Sequence, residues 1–390
     1  MHILRRYSFV LVTTIVFAGA LVACDSGGGG GSDAPPPDEV RNTLQTASTD
    51  LSTNINADLM NGAFGSFAQS LFGDLQGGTT SAITEMISKK SGHGELMIDA
   101  LDQQDILVTY DGRLDYDASE KGEYNWDTDQ WVSSGSSGDV ILNFPSESQT
   151  SENNATFTLA EYSDTEVTMD GDSEYLPTQI DASIDTDGQG TIFSVDLGGT
   201  DSGPATYQLG QMVDVGVEIL TAPLLHSFEL MSPSATQFNF SFGLDNNETG
   251  NLVMGLSADV ALNNDDYSDI EAEDVDEVSG NLDLSSEVSI AYALDIDGLA
   301  ALGEDPSPQA INNEIENASI LLNGEEAATL EYGTTTVNTG DGETEVETLL
   351  VVYGDGSEDP FVEVFGPLLG VAGNVDLNSM TESLPKIIQQ

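Results

Sequence analysis

Few residues in this sequence could carry chemistry of their own. The chain holds one cysteine, Cys24, and three histidines, His2, His93 and His226. The last two lie far apart without neighbouring ligand spacing, and each reads as a surface or core histidine. A Gly-x-Ser-x-Gly nucleophile elbow, a Gly-x-x-x-x-Gly-Lys phosphate loop and a dinucleotide fingerprint after a strand are all absent. The 68 acidic residues offer many carboxylate pairs of the kind glycoside hydrolysis uses, and the pattern singles out none. The reading is therefore not an enzyme. Calcium is the metal the composition favours, since hard cations take several carboxylate and carbonyl oxygens. Asp185-Thr-Asp187-Gly, Asp295-Ile-Asp297-Gly and the cluster 263–277 supply such oxygens, but none completes a twelve-residue loop ending in Glu. Trp126 and Trp131 bracket "DTDQ", with Tyr124 on the parity of Trp126. A hairpin loop there sets the indoles cross-strand, as a stabilising pair or as a stacking platform for a sugar.

The surroundings of Cys24 are more specific. Arg5 and Arg6 precede an apolar run, Phe9 to Ala23, that ends in small residues. A charged start and an apolar stretch too short for a comfortable membrane span form a secretory signal. Leu21-Val22-Ala23-Cys24 then resembles the lipobox of bacterial lipoproteins. That resemblance implies cleavage before Cys24, a thioether-linked diacylglycerol on its sulfur and an anchor in the bilayer. With Cys24 so used, disulfides, thiolate catalysis and Cys-ligated metals are excluded in the mature chain. "DSGGGGGSDAPPP" follows as a tether with a reach on the order of 20 Å. The expected place is the cell envelope, on the periplasmic face of the outer membrane or the cell surface. Asp25 after the cysteine keeps inner-membrane retention as an alternative.

Charge sets the solvent. Against 68 Asp and Glu stand 8 Lys and Arg, a formal charge of −60. The acids are spread along the whole chain and 39% of residues are hydrophobic, which argues for a folded domain with an acidic surface. Lysine-poor acidic surfaces resemble those of extreme halophiles, where salt confines repulsion to within ~3 Å at 1 M. Nucleic acid is excluded as a partner, because no basic patch exists to neutralise phosphate.

The elements that hold these residues follow from hydrophobic period. Val40, Leu44, Ala47, Leu51 and Ile55 share one helical face, with Asp38 placed as an N-cap. From Gly94 the period is mostly two. Phe238 to Leu244 and Leu252 to Leu262 predict a long hairpin with one apolar face; Leu282 to Ile296 predicts one long strand bent near Ser285-Ser286. Asp-Gly and Asn-Gly turns recur, including Asp187-Gly188, Asp297-Gly298, Asn323-Gly324 and Asp355-Gly356. The stretch 263–277 reads as a long solvated loop; Leu220–Phe228 and Phe365–Gly373 read as apolar pieces closing the end of a barrel or sandwich.

The expected organisation is a signal peptide over 1–23, a lipidated Cys and tether over 24–37, a helical segment over 38–90 and an antiparallel β domain over 91–390. The fold class is mainly β (α+β): a large antiparallel sheet, half-barrel or sandwich, with a short N-terminal helical segment. This arrangement on a lipid tether is similar to the half-barrel of lipoprotein carriers of the LolA/LolB type, which implies a cavity for a hydrophobic ligand and carries over no residue. The functional expectation is a membrane-anchored, non-enzymatic lipoprotein of binding or structural type, without a cofactor besides the lipid. Two alternatives are a carrier of lipid or another hydrophobic ligand and a sugar-binding lipoprotein using Trp126 and Trp131.

Overall fold

The computed structural model describes residues 35–54 and most of 109–372, omitting 111–112, 115, 117–120, 136–137, 147–151, 170–171, 209–211, 266–273, 304–305 and 339–342. The signal segment, Cys24, the tether, Ile55 to residue 90 and His93 therefore lie outside the described residues.

Helix α1 (Pro37–Asn54) opens the described chain. A short hairpin, β1 (Thr109–Tyr110) and β2 (Arg113–Leu114), stands by itself. All other strands join one sheet of 17. They begin with β3 (Lys121–Asn125), β4 (Gln130–Gly135), β5 (Val140–Phe144), β6 (Ala155–Met169), β7 (Asp172–Thr186) and β8 (Gly190–Gly198). Next come β9 (Thr206–Gln208), β10 (Met212–Thr221), β11 (Leu224–Ser234), β12 (Gln237–Asn246), β13 (Asn251–Leu262) and β14 (Val275–Asp283). After β15 (Val288–Asp295) two short helices intervene, α2 (Ile296–Ala301) and α3 (Pro308–Asn313). The chain then runs through β16 (Ile315–Leu322), β17 (Glu325–Asn338), β18 (Glu343–Tyr353) and β19 (Glu358–Pro360) into α4 (Phe361–Ala372).

The sheet is mainly an antiparallel meander. Its order begins β4-β3-β5, where β3 and β5 pair in parallel, and then follows the sequence. At one place two strands share an edge: β9 pairs with residues 212–214 of β10 and β8 with 216–221. The end strands β4 and β19 each pair on one side only among the described residues, so the sheet stays open.

One parity is mainly apolar. Direct cross-strand partners link Tyr162, Ile180, Leu197, Val217, Phe228 and Phe242 from β6 to β12. The row continues through Leu256, Leu282, Ile290, Ile320 and Ala328 to Tyr353 on β18. Each fully buried aliphatic or aromatic side chain contributes about 1.5–3 kcal/mol by leaving water. Two clusters form on this face, one over β3–β11 and one over β11–β18 with α1 and α4; Phe238 and Phe240 touch both.

The opposite face carries the acids. Glu161, Asp181, Asp196 and Glu218 are direct partners across β6, β7, β8 and β10, and all four are exposed. Burial, then the charges of Asp196 and Asp139, push the Asp181 carboxyl above its ordinary value. Like charges directly opposite one another destabilise a sheet, so this row needs screening.

The predicted hairpin at 238–262 forms, with Phe240 opposite Ala258 and Phe242 opposite Leu256. The single strand expected over 282–296 does not. It is the β14–β15 hairpin, turning at 284–287, where the Ser285 hydroxyl accepts from the N–H groups of Glu287 and Val288 (3.2 Å each). Leu282 faces Ile290 across it. A four-residue reversal preserves parity, so the alternation runs through the turn unbroken. Asp297-Gly298 is likewise no β-turn, because it opens α2, capped by Asp295 Oδ1 accepting from the Gly298 N–H (2.6 Å). Asn323-Gly324 behaves as expected, with φ of 54° and 81°, the two positive values a type I′ hairpin demands. Asp38 is not the N-cap of α1; the helix begins at Pro37, and the Pro36 carbonyl accepts from Glu39 and Val40. Of the expected loop over 263–277, residues 275–277 belong to β14. Leu220–Phe228 is the β10–β11 turn, and Phe365 with its neighbours lies in α4.

Two expectations follow. A Cβ at Gly280 would overlap the Ser257 carbonyl and come within 2.9 Å of Tyr292 Oη, whereas one at Gly243 meets only the rotatable Ser227 hydroxyl closely. Gly280→Ala should therefore cost about 1–3 kcal/mol in urea unfolding, and Gly243→Ala clearly less. Asp196→Asn should raise the melting temperature in dilute buffer, with the gain vanishing in molar salt; calorimetry at both ionic strengths decides.

Candidate functional site

The aromatic hairpin comes first because the sequence singled it out. Tyr124 is the direct partner of Trp131, and Trp126 sits in the turn, with the Asp129 N–H donating to its carbonyl (3.3 Å). Trp126 and Trp131 are therefore not partners of each other. Tyr124 is buried, donates its hydroxyl to Asp129 Oδ1 (2.8 Å), and has its pKa pushed to about 12 by burial first and that contact second. The Trp131 ring lies over Gly122, where a Cβ would meet it at 2.9 Å. Both indoles pack against the β3–β11 cluster. Both rings are part-buried, and packing of this kind holds a hairpin together.

The candidate calcium ligands are dispersed. Asp185 accepts from the Thr191 hydroxyl (2.6 Å) beside the β7–β8 turn, which contains Asp187. Asp295 caps α2 and Asp297 stands exposed in its first turn, at the opposite end of the strand direction. Among the described residues, no group of three or more His, Cys, Asp or Glu is placed to hold a metal ion.

A set of residues not anticipated from sequence fixes α1 across the apolar face. Arg41 Nε donates to Asp359 Oδ2 (2.5 Å) on β19, and the Tyr353 hydroxyl donates to the same oxygen (2.7 Å). Arg41 also lies 5.4 Å from the centre of the Tyr353 ring and pairs with Asp38 (2.8 Å). Burial pushes the Asp359 carboxyl up, but the hydrogen bonds from Arg41 and Tyr353 and the guanidinium charge together hold it below the usual range. Its contribution is thus present above the ordinary carboxylate pKa and is lost as acid protonates it. Val40, Leu44, Ala47 and Leu51 are buried beneath the helix. The helix packs chiefly on α4 and meets the sheet at β13. An 18-residue helix is ~27 Å long, close to the ~29 Å of the six strand steps from β19 to β13.

Where this cover ends, the apolar face is only part-buried. Phe238, Phe240, Met254, Leu256 and Leu282 form a part-buried seam on β12, β13 and β14 against the second cluster, and Phe238 and Phe240 also touch the first. Phe240 meets Phe228 edge-to-face at 5.3 Å. On β11 to β13 the residues of this parity include no carboxylate, and their one titratable group is His226, paired with Ile219 and Leu244. His226 is buried, and burial lowers its pKa to about 4. A seam of hydrocarbon and aromatic carbon beside a neutral imidazole can hold an apolar molecule.

No known protein family, curated protein or solved structure matches the chain. Among the described residues no helix is long and apolar enough to cross a membrane.

The His226 environment has a measurable consequence. The unfolded imidazole takes a proton near 6.5 and the folded one only near 4, so stability falls as pH drops through that window. His226→Leu should flatten the fall in melting temperature between pH 6.5 and 4; an unchanged slope would assign the loss to other groups.

Proposed function

We propose that this protein is a non-enzymatic, lipid-anchored binding protein of the cell envelope whose sheet takes up an apolar ligand. The observation that carries the binding half is the part-exposed seam of Phe238, Phe240, Met254, Leu256 and Leu282 at the limit of the helical cover. A folded chain normally closes such a stripe more fully, and a run of large apolar side chains left part-buried suits a ligand or partner site. The seam presents no charge, so the ligand class it suits is a hydrocarbon chain, a lipid tail included. The anchoring half rests on Leu21-Val22-Ala23-Cys24 after the Arg5-Arg6 start and the apolar run. Sugar binding at Trp126 and Trp131 is the weaker reading, since the two indoles are not cross-strand partners and each packs against the β3–β11 cluster.

Cells producing the chain should incorporate labelled palmitate, and Cys24→Ser should abolish the label and release the protein from membranes. The released form, purified in molar salt, should take up a fluorescent fatty acid. Leu256→Glu should remove that uptake, because the carboxylate would sit on the seam. Persistent labelling of Cys24→Ser would refute the anchor, and absence of uptake would refute the ligand class.

A further inference from the structure

The two faces of the sheet present different chemistry to their surroundings. On one, Glu161, Asp181, Asp196 and Glu218 form an exposed row, and Glu229 on β11 and Asp259 on β13 are exposed on the same face. On the other lie α1, α4 and the seam. Helix α1 has Asp38, Glu39 and Asp50, the first paired with Arg41, but from Asn42 to Thr49 it carries no charge. Asn42, Gln45 and Thr46 are exposed there. Glu363 is the one charged residue in α4, whose Val362 is 53% exposed. The chain also enters on this side. Pro35, where the described residues begin, stands just before α1 and eleven positions after Cys24. Eleven residues span at most ~36–40 Å.

We propose that the helical face, with its seam, is the surface this protein lays against the bilayer that holds the Cys24 anchor. The inference rests on the anchored, hydrocarbon-binding reading above and adds which way the domain faces. Three orientations are open to a domain held at the start of α1. With the acidic face down, exposed carboxylates meet like charge in any bilayer containing anionic lipid, and each gives up hydration without a partner. With the domain standing on its β19 edge, the six strand steps to β13 lift the seam ~29 Å from the headgroups. With the helical face down, amide, hydroxyl and valine surface meets the headgroups and α1 lies along the bilayer. The seam then opens toward the source of hydrocarbon chains, and a lipid tail passes between bilayer and protein with little exposure to water. Salt favours the same arrangement. At 1 M screening confines repulsion to ~3 Å, so Glu39, Asp50 and Glu363 oppose a headgroup layer only near contact.

The test is fluorescence quenching from the bilayer surface. The full chain is isolated with its anchor and placed in vesicles of phosphatidylethanolamine and phosphatidylglycerol that carry a nitroxide-headgroup lipid. With Cys24 acylated, one introduced cysteine is the only reactive thiol. Asn42→Cys and Asp50→Cys place a fluorophore at two points on the helical face, ~12 Å apart along α1, and Glu218→Cys places it on the acidic face. All three positions are exposed, so the labels leave the core intact. The expected result is a large loss of fluorescence at 42 and at 50, with almost none at 218. Quenching at 42 alone would show the domain standing on its edge, and quenching at 218 alone would show the acidic face down. Equal quenching at all three would show free tumbling. Each of these overturns the orientation while leaving the anchor in place. If the unaltered chain fails to float with the vesicles, the anchor itself is refuted and the orientation falls with it.

Discussion

The strands of the large sheet answer to one constraint: a single apolar face shared by 17 described strands. Side chains alternate along a strand, so a slip of one residue would exchange the whole set on that strand. Here the exchange would be severe, because the other parity carries carboxylates such as Glu161, Asp181, Asp196 and Glu218. The acidic composition thereby does more than keep the surface wet. It makes wrong registers costly, and the ladder from Tyr162 to Tyr353 is the one alignment that keeps charge out of the core. The bulges at Leu159/Glu161, Leu244/Asp245 and Ala261/Leu262 restore parity where neighbouring strands would otherwise drift apart.

Cations are scarce enough that their placement is informative. Four lysines and four arginines serve 390 residues. Arg41 is spent on a junction between α1, β18 and β19, shared with Asp359 and Tyr353. Lys121 is buried, donating to the Tyr116 carbonyl while its ammonium lies over the Tyr116 ring. Tyr116 in turn donates its hydroxyl to the carbonyls of Leu159 and Ala160 (3.0 and 2.7 Å). Both cations hold pieces of the chain together, and neither is spread over the surface to neutralise it. The surface charge is left for the solvent to screen.

Much of the fold was legible in the sequence because a half-buried antiparallel sheet writes its parity directly into the chain. The Phe238–Leu262 hairpin and the Val40–Leu51 helical face were readable for that reason. The β14–β15 reversal was not, since the Ser285 turn keeps Leu282 and Ile290 in phase and alternation cannot see direction. Asp297-Gly298 was misread because a turn dipeptide and the start of a capped helix share composition. The site was less legible than the fold. Trp126 and Trp131 drew attention as rare residues, but packing against the β3–β11 cluster decides their role, and spacing does not report packing. The junction of Arg41 with Asp359 joins residues 318 positions apart, with no local signature. The scarcity of arginine was the one available hint. The seam depends on where a helix stops over a sheet, a relation between two elements that neither sequence contains.

That junction also orders events in time. From β6 to β19 most ladders join strands adjacent in sequence, so contacts are local and such a sheet can assemble progressively as the chain appears. Helix α1 is the exception, as its partners β18, β19 and α4 come last. The first described element made thus waits for its main partners, because α4 and the Asp359 carboxylate come after the strands it also meets. Arrival of β19 and α4, rather than of the N-terminal helix itself, is what lets that helix be fixed.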